Sequence, residues 1–310
     1  MYSIFIDGKE GTTGLRIYER LADRQDIRVI SLSDADRKNV TKRAEALNNC
    51  DLAFLCLPDD AARESVSLVQ NPDVRIIDCS TAHRTAPGWV YGFPELSAAT
   101  REILPIAKRV ANPGCHASGF IALIYPLVCA GILDKNTELS CCSLTGYSGG
   151  GKKMIAQYES ADREDLLNAP RHYGLSQQHK HLPEMQGICG LSSAPVFCPI
   201  VADFYCGMLV SVPLFAKDLT NGHSIESIRS VYAEYYNGPI VNYVADSDES
   251  GFLSAQKLAG YDTMEITVCG NEDRMVLMSR FDNLGKGASG SALQCMNIML
   301  GMDQTLGLKL

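Results

Sequence analysis

Of the twelve cysteines in this chain, Cys115 has the surroundings of a nucleophile. It lies in Ala111-Asn112-Pro113-Gly114-Cys115-His116-Ala117-Ser118. Pro113 removes an amide donor and pushes Asn112 towards extended geometry, while Gly114 permits a sharp bend and the close approach of a ligand. The run Ala117 to Ala130 is mostly apolar and reads as a helix, which puts Cys115 where a strand ends and a helix begins. Free amides and the positive dipole end of a helix favour a thiolate over a thiol, and a thiolate can attack an electrophilic carbon. An average cysteine is buried and inert, so the reading needs partners. They are offered by Gln178-His179-Lys180-His181-Leu182-Pro183-Glu184-Met185. Pro183 suits a first helical turn, which places His179 and His181 just before a helix, in extended chain, with both rings able to face one side. Proton transfer with Cys115 fits one of these histidines better than zinc does, because the flanking sequence offers no obvious further ligands.

A second set of residues points to a dinucleotide. Tyr2 to Ile6 is a short apolar strand, followed by Gly8, Gly11 and Gly14 and then a helical stretch through Leu15, Ile17, Tyr18 and Leu21. A strand, a glycine turn and a helix N-terminus form the geometry that cradles a pyrophosphate on backbone amides. The Gly-x-x-Gly-x-x-Gly spacing is not the usual one, so alone it is as compatible with a plain surface turn. The next strand, Ile27 to Leu32, ends in Ser31-Leu32-Ser33-Asp34-Ala35-Asp36-Arg37-Lys38. Two hydroxyls, Ser31 and Ser33, followed by two cations suit a 2′-phosphate better than a free ribose diol. The expected cofactor is therefore NADP, with Asp34 the one residue that argues for NAD. Ser80 and Arg84 follow a later strand, Val74 to Ile77, and Arg84 could fork onto a phosphate or carboxylate or simply lie solvated. Gly146 to Lys153 reads as a flexible loop that can wrap an anion, with Lys152 supplying charge.

These residues need a scaffold, and the hydrophobic pattern supplies one. Val40 to Asn48 reads as a helix and Leu52 to Leu57 as a strand buried on both faces. Asp59 and Asp60 are expected to cap a helix through Val69, Tyr91 to Leu96 to form a turn with aromatic anchors, and Arg109 to Ala111 to be a fifth strand. Alternating strands and helices with short connections imply an α/β fold, a doubly wound Rossmann-type dinucleotide-binding domain. Beyond Cys129 the pattern changes. Glu138 to Thr145 is strand-like, Ser224 to Tyr236 helical, and Met264 to Val268 with Met275 to Phe281 forms a hairpin, which implies an α+β domain with a mixed or antiparallel sheet. A last helix, opened by residues 282–290, is expected to return to the first domain. The expected domains are 1–114 with 286–310 for the dinucleotide, and 115–285 for catalysis, substrate and oligomerisation. At 310 residues and 46% hydrophobic the chain can bury two cores, and its net charge of −8 argues against nucleic acid as a partner. No stretch reads as a signal peptide or membrane span, and cysteines at irregular spacings suit a reducing cytoplasm.

Several separated motifs together resemble the N-acetyl-γ-glutamyl-phosphate reductase family, in its shorter form, a relative of aspartate-semialdehyde dehydrogenase. They are Gly8-x-x-Gly11-Thr12-Thr13-Gly14-Leu15, Asp78-Cys79-Ser80-Thr81-Ala82-His83-Arg84, Tyr91-Gly92-Phe93-Pro94-Glu95-Leu96 and Asn112-Pro113-Gly114-Cys115. Ser148-Gly149-Gly150-Gly151-Lys152, His179-Lys180-His181-Leu182-Pro183-Glu184 and Asp282 to Gly290 complete the set, in the family's order across nearly the whole chain. The resemblance implies that Cys115 attacks the acyl-phosphate carbon of N-acetyl-L-γ-glutamyl phosphate, a step of arginine biosynthesis. The resulting thioester is reduced with NADPH to N-acetyl-L-glutamate 5-semialdehyde. It implies His179, ahead of His181, as acid–base, with Glu184 orienting either ring. Gly8, Gly11, Thr12, Thr13, Gly14, Ser31, Ser33, Ser80 and Asn283 would bind the cofactor. Arg84, Asn112, Ser148, Gly149 and Lys152 would bind a small-molecule substrate, with no metal. The family is usually oligomeric, so a homo-oligomer, dimer or tetramer, is expected. Two departures stand out: His116 where many relatives have a tyrosine, and Lys152 where they often have an arginine. Two alternatives remain open from the residues: aspartate-semialdehyde dehydrogenase activity, or a nucleotide-sensing module in which Cys115 is structural.

Overall fold

A computed structural model describes residues 1–310. The chain forms two compact units; the first comprises Met1–Pro94, Ala98–Pro113 and Ala288–Leu308, the second Glu95–Ser97, Gly114–Gly287 and Lys309–Leu310. No helix is long and apolar enough to cross a membrane.

In the first unit β1 (Tyr2–Asp7), α1 (Thr12–Ala22), β2 (Ile27–Ile30), α2 (Val40–Asn48), β3 (Leu52–Leu55), α3 (Asp59–Ser67) and β4 (Arg75–Asp78) alternate as expected. β5 (Val90–Tyr91), α4 (Ala98–Ile103) and β6 (Arg109–Ala111) follow. All six strands are parallel, in the order β2-β1-β3-β4-β6-β5. The aromatic turn at Tyr91 thus starts inside the sheet: Val90 and Tyr91 pair with Val110 and Ala111 as an edge strand, and only Pro94–Leu96 is a helical turn. Asp59 and Asp60 do not cap α3. They occupy its first turn behind Pro58, and Asp59 instead accepts hydrogen bonds from the amide and hydroxyl of Thr81. Asn39 does cap α2, accepting from the amides of Thr41 and Lys42.

The second unit begins with α5 (Cys115–Cys129) and continues through β7 (Ser140–Gly146), α6 (Gly151–Glu159), β8 (Arg171–His172), α7 (Leu182–Cys189), β9 (Val196–Ala202) and β10 (Met208–Phe215). α8 (Ile225–Tyr235), β11 (Val241–Tyr243), β12 (Met264–Gly270) and β13 (Arg274–Phe281) complete it. The seven strands form a mixed sheet in the order β11-β12-β13-β10-β7-β9-β8, with the expected antiparallel hairpin of β12 and β13 at Thr267↔Met278. Successive side chains alternate across it, so Cys141 is fully buried while Cys142 is exposed. α5 is apolar almost all round and lies on the sheet. A Cβ at Gly119 would sit 2.5 Å from Val210 and 2.7 Å from the Ser279 hydroxyl, so only glycine admits this approach. Pro126 inside α5 cannot donate to the carbonyl of Ala122, and the Tyr236 hydroxyl donates to that carbonyl instead, at 2.7 Å.

After β13 a π-helical turn, Gly285–Ser289, leads into α9 (Gly290–Met299), which rejoins the first unit. Ala292, Leu293, Met296 and Met299 pack with Ile17 and Leu21 of α1 over Ile4, Ile6, Leu52, Phe54 and Ile77. The intervening residues Phe5, Ala53, Leu55 and Ile76 turn to the opposite face, against Ala46 and Leu47 of α2 and Ala62 of α3. Period-two alternation with both faces covered explains why these strands read as unbroken apolar runs.

Candidate active site

Cys115 is the first residue of α5, half-exposed, with Gly114 as the extended residue before it (φ −78°, ψ 144°). Two contacts fix this junction. The Gly114 amide donates to Oε1 of Glu184 at 2.8 Å, and the Gly114 carbonyl accepts from the amide and hydroxyl of Ser118 at 2.8 and 3.0 Å. Glu184, only 2% exposed, therefore enters the site by gripping the backbone next to the cysteine. From the opposite side the π turn presses close: a Cβ at Gly287 would lie 3.0 Å from Cβ of Cys115. π turns recur at functional sites, and this one brings backbone against the Cys115 side chain.

A cluster of rings gathers around His116, the residue after the cysteine. His116 stands 5.8 Å from His179, 5.6 Å from His181, 5.3 Å from Phe197 and 6.0 Å from Tyr173, centroid to centroid. His179 and His181 are 4.7 Å apart, so the two rings do converge. They do so through a turn rather than in extended chain: His181 has helical dihedrals (φ −86°, ψ −12°) just before α7, and its amide donates to Nδ1 of His179 at 3.2 Å. With Nδ1 accepting, a neutral His179 carries its hydrogen on Nε2. His179 is half-buried and His181 only 5% exposed. His116 is bonded at both nitrogens, Nδ1 to the Ser143 hydroxyl and Nε2 to the Tyr173 hydroxyl, each at 2.6 Å. Burial, reinforced by the neighbouring His179, holds the His116 pKa down at about 3, so the ring is neutral. Burial likewise pushes the Tyr173 hydroxyl up, and the Cys115 sulfur acts in the same direction.

The segment after β7 is ordered rather than a flexible loop. Tyr147–Gly150 is a helical turn that runs straight into α6, with Lys152 exposed in the first turn of that helix. Ser148 is buried, and its hydroxyl accepts from Nδ2 of Asn283, whose Oδ1 accepts the Gly207 amide. Gly149 follows on the exposed side. Asn283, Ser148 and Gly149 thus form one corner of the second unit.

In the first unit the glycine turn sits at the carboxyl end of β1. Gly8 has φ +88°, and a Cβ there would meet the Cys56 carbonyl at 2.3 Å, so the turn demands glycine. At Gly11 a Cβ would find only ordinary contacts at 3.5 Å, leaving space over the start of α1, where Thr12 and Thr13 open the helix and Gly14 is buried. A cavity of 360 Å³ opens beside it, lined by Gly8, Ser31, Asp34, Arg37 and Lys38 among others. Ser31 faces this cavity. Ser33 does not line it: its hydroxyl is engaged by Asp36 at 2.7 Å. Arg37 pairs with Asp34 at 3.5 Å. Ser80 donates its hydroxyl to Asp78 and accepts the Ala82 amide, which folds the end of β4 rather than leaving the hydroxyl open. Arg84 donates from Nε to the Asn112 carbonyl at 3.0 Å, and Asn112 donates to the Ala288 carbonyl while its buried Oδ1 has no partner.

Sequence reasoning missed Tyr173, Ser143, Gly287 and Arg171. Arg171 bonds the Tyr158 hydroxyl, and its buried Nε has no partner. Only the glycines in Tyr173-Gly174 and Lys286-Gly287 hinted at tight chain near a site.

Two family models match: semialdehyde dehydrogenase, NAD binding domain, over residues 4–103, and semialdehyde dehydrogenase, dimerisation domain, over residues 115–283. The chain is 46% identical to N-acetyl-gamma-glutamyl-phosphate reductase 2 of Nostoc sp., over 98% of both chains. It is 48% identical to N-acetyl-gamma-glutamyl-phosphate reductase of Brucella ovis, over 96% of this chain and 98% of that one. Among solved structures, aspartate semialdehyde dehydrogenase from Francisella tularensis superposes with a TM-score of 0.71 over 97% of this chain and 100% of that chain, at 13% identity, a likeness of fold. An α/β dinucleotide unit, a mixed-sheet unit opened by the cysteine, and near-half identity over almost the full length lead to one assignment: this chain belongs to the N-acetyl-γ-glutamyl-phosphate reductase family of semialdehyde dehydrogenases.

Proposed function

We propose that the chain reduces N-acetyl-L-γ-glutamyl phosphate to N-acetyl-L-glutamate 5-semialdehyde through a thioester on Cys115, with NADPH as reductant. One observation supports the mechanism: a half-exposed cysteine at the first position of α5, with Glu184 gripping the backbone before it and the next residue, His116, meeting the rings of His179 and His181. The helix end favours the thiolate. The sulfur adds to the acyl carbon, the carbon–oxygen bond to phosphate breaks, and phosphate leaves with the electron pair. NADPH, when bound, supplies the hydride that reduces the thioester. His179, with its hydrogen on Nε2, stabilises the oxyanion formed at each addition, a contribution worth about two to three powers of ten in rate. Breaking the carbon–sulfur bond then releases the aldehyde and restores the thiolate. His181, more deeply placed, supports the His179 ring through its amide.

The first unit fits a dinucleotide. The space over Gly11 and the first turn of α1, with Thr12, Thr13 and Gly14, would receive the pyrophosphate, and Gly8 supplies the bend. Ser31, Arg37 and Lys38 around the cavity favour a 2′-phosphate, and Arg37 offsets Asp34, which shares the lining with Asp7 and Glu10. Arg84, Asn112, Ser148, Gly149 and Lys152 remain the candidates for substrate binding, joined by Arg171. Asn112 brings an unpartnered buried acceptor and Arg171 an unpartnered buried donor. Twelve cysteines, none of them in a disulfide, suit a cytoplasmic protein, and the dimerisation-domain match supports a homo-oligomer.

Phosphate-dependent reduction of NADP⁺ by the acetylated semialdehyde tests the proposal. Turnover should clearly exceed that with aspartate semialdehyde or with NAD⁺, and Cys115→Ser should lose on the order of a thousandfold or more. Preference for aspartate semialdehyde rejects the substrate, and an active Cys115→Ser rejects the thioester. A nucleotide sensor would bind NADPH and turn nothing over.

A further inference from the structure

Asp7 closes β1 and stands directly before Gly8, so a carboxylate borders the turn proposed above to receive a pyrophosphate. Asp7, Gly8, Ser31 and Arg43 line the same cavity, and all four belong to the first unit. Asp7 is only 5% exposed, so water cannot screen its charge as it screens the exposed pair of Arg37 with Asp34. The compensation is built in. Arg43, itself 7% exposed on α2, donates to Oδ2 of Asp7 from Nε at 3.2 Å and from Nη2 at 3.1 Å. The buried Ser65 hydroxyl, on α3, donates to the same oxygen at 2.8 Å and accepts from Nη2, while Nη1 donates to Glu64 at 2.8 Å. β1, α2 and α3 thus meet at one carboxylate oxygen.

We propose that Arg43 is a positioning residue for the dinucleotide: by cancelling the Asp7 charge from inside the unit, it lets the glycine turn accept a pyrophosphate. Such a turn draws its affinity from backbone amides and from a helix dipole equivalent to about half a positive charge. A buried carboxylate left uncompensated beside it would outweigh that attraction, because a poorly screened charge acts over several ångströms. Arg43 also fixes where Asp7 points, since two donors of one planar guanidinium, with Ser65 as a third, hold the carboxylate towards α2 and α3. The pyrophosphate is common to NADH and NADPH, so Arg43 governs the affinity for both. Ser31, Arg37 and Lys38 address the 2′-phosphate alone.

The inference rests on the glycine turn as the dinucleotide site, and the test separates the two. Dissociation constants for NADPH and NADH are read from the fluorescence of the bound nicotinamide, without substrate, with the melting temperature of each variant recorded alongside. Arg43→Gln should weaken both by the same factor, about tenfold or more. Asp7→Asn should bind both at least as tightly as the wild type, and the double variant Asp7→Asn, Arg43→Gln should return to within about threefold of it. These two variants strand no carboxylate, so they carry the test even if Arg43→Gln fails to fold. Weaker binding by Asp7→Asn, or a double variant no better than Arg43→Gln, is what a purely structural brace would give and overturns the inference. A loss confined to NADPH overturns it too, since it would mean direct contact with the 2′-phosphate. Gly11→Asp keeps a good residue at the N-cap of α1 and sets an anion over the turn. If NADPH binding survives Gly11→Asp, the turn is not the site; if Gly11→Asp abolishes binding while Arg43→Gln binds like the wild type, only the present inference fails.

Discussion

His116 is a base kept neutral in a buried place, and that has a cost in acid. Its folded pKa lies at about 3, depressed by burial and by His179, whereas an unfolded histidine titrates near its ordinary 6.5. Above pH 6.5 the ring is neutral in both states and contributes no pH dependence. As the pH falls below 6.5 the unfolded chain takes up a proton that the folded chain refuses, so this group's share of stability is lost progressively from 6.5 towards 3. The melting temperature of His116→Asn should therefore fall less between pH 7 and pH 5 than that of the wild type. Parallel curves would show that the ring does not stay neutral. Gly287 makes a second point at this scale. A Cβ there would lie 3.0 Å from Cβ of Cys115, so its absence is what admits the backbone here, and a residue far along the chain shapes the surroundings of Cys115 without carrying any chemistry.

At the scale of elements, α5 illustrates how a local defect is repaired from elsewhere. Pro126 breaks the hydrogen-bond ladder of a mostly buried helix, which strands the Ala122 carbonyl in an apolar interior. Tyr236, immediately after α8, donates its hydroxyl to that carbonyl at 2.7 Å, and Tyr232 donates to the Leu123 carbonyl at 2.5 Å. Both tyrosines are fully buried, and burial pushes both hydroxyls up, so they remain donors at any physiological pH. Tyr236→Phe should destabilise the protein by about 1–3 kcal/mol, the cost of a buried acceptor left unmade, read as a lower urea midpoint with an unchanged slope. A midpoint within error of the wild type would mean that the carbonyl finds another donor. The helices themselves were legible because breakers are local: Pro183 in the first turn of α7 and Gly114 before α5 announce their roles in sequence. Asp59 did not, because its partner, Thr81, lies in another loop.

For the whole molecule, the chain passes from the first unit to the second at Pro113/Gly114 and back at Gly287/Ala288. The cysteine and the glycine that packs on it therefore both sit next to crossings. With a match to a dimerisation domain over residues 115–283, light scattering should find a particle of two or four times 33.7 kDa, and a 33.7 kDa particle at micromolar concentration would reject the homo-oligomer. The amino-acid sequence by itself determined the parallel sheet, the second mixed sheet and the place of Cys115. Each follows from period-two burial or from turn chemistry within a few residues, where steric rules act before any tertiary contact forms. Only the tertiary structure decided which polar groups meet. His116 and Tyr173 lie 57 residues apart, and Ser148 and Asn283 lie 135 apart. Hydrogen bonds of that range depend on how sheets and helices close around them, and spacing along the chain carries no trace of it.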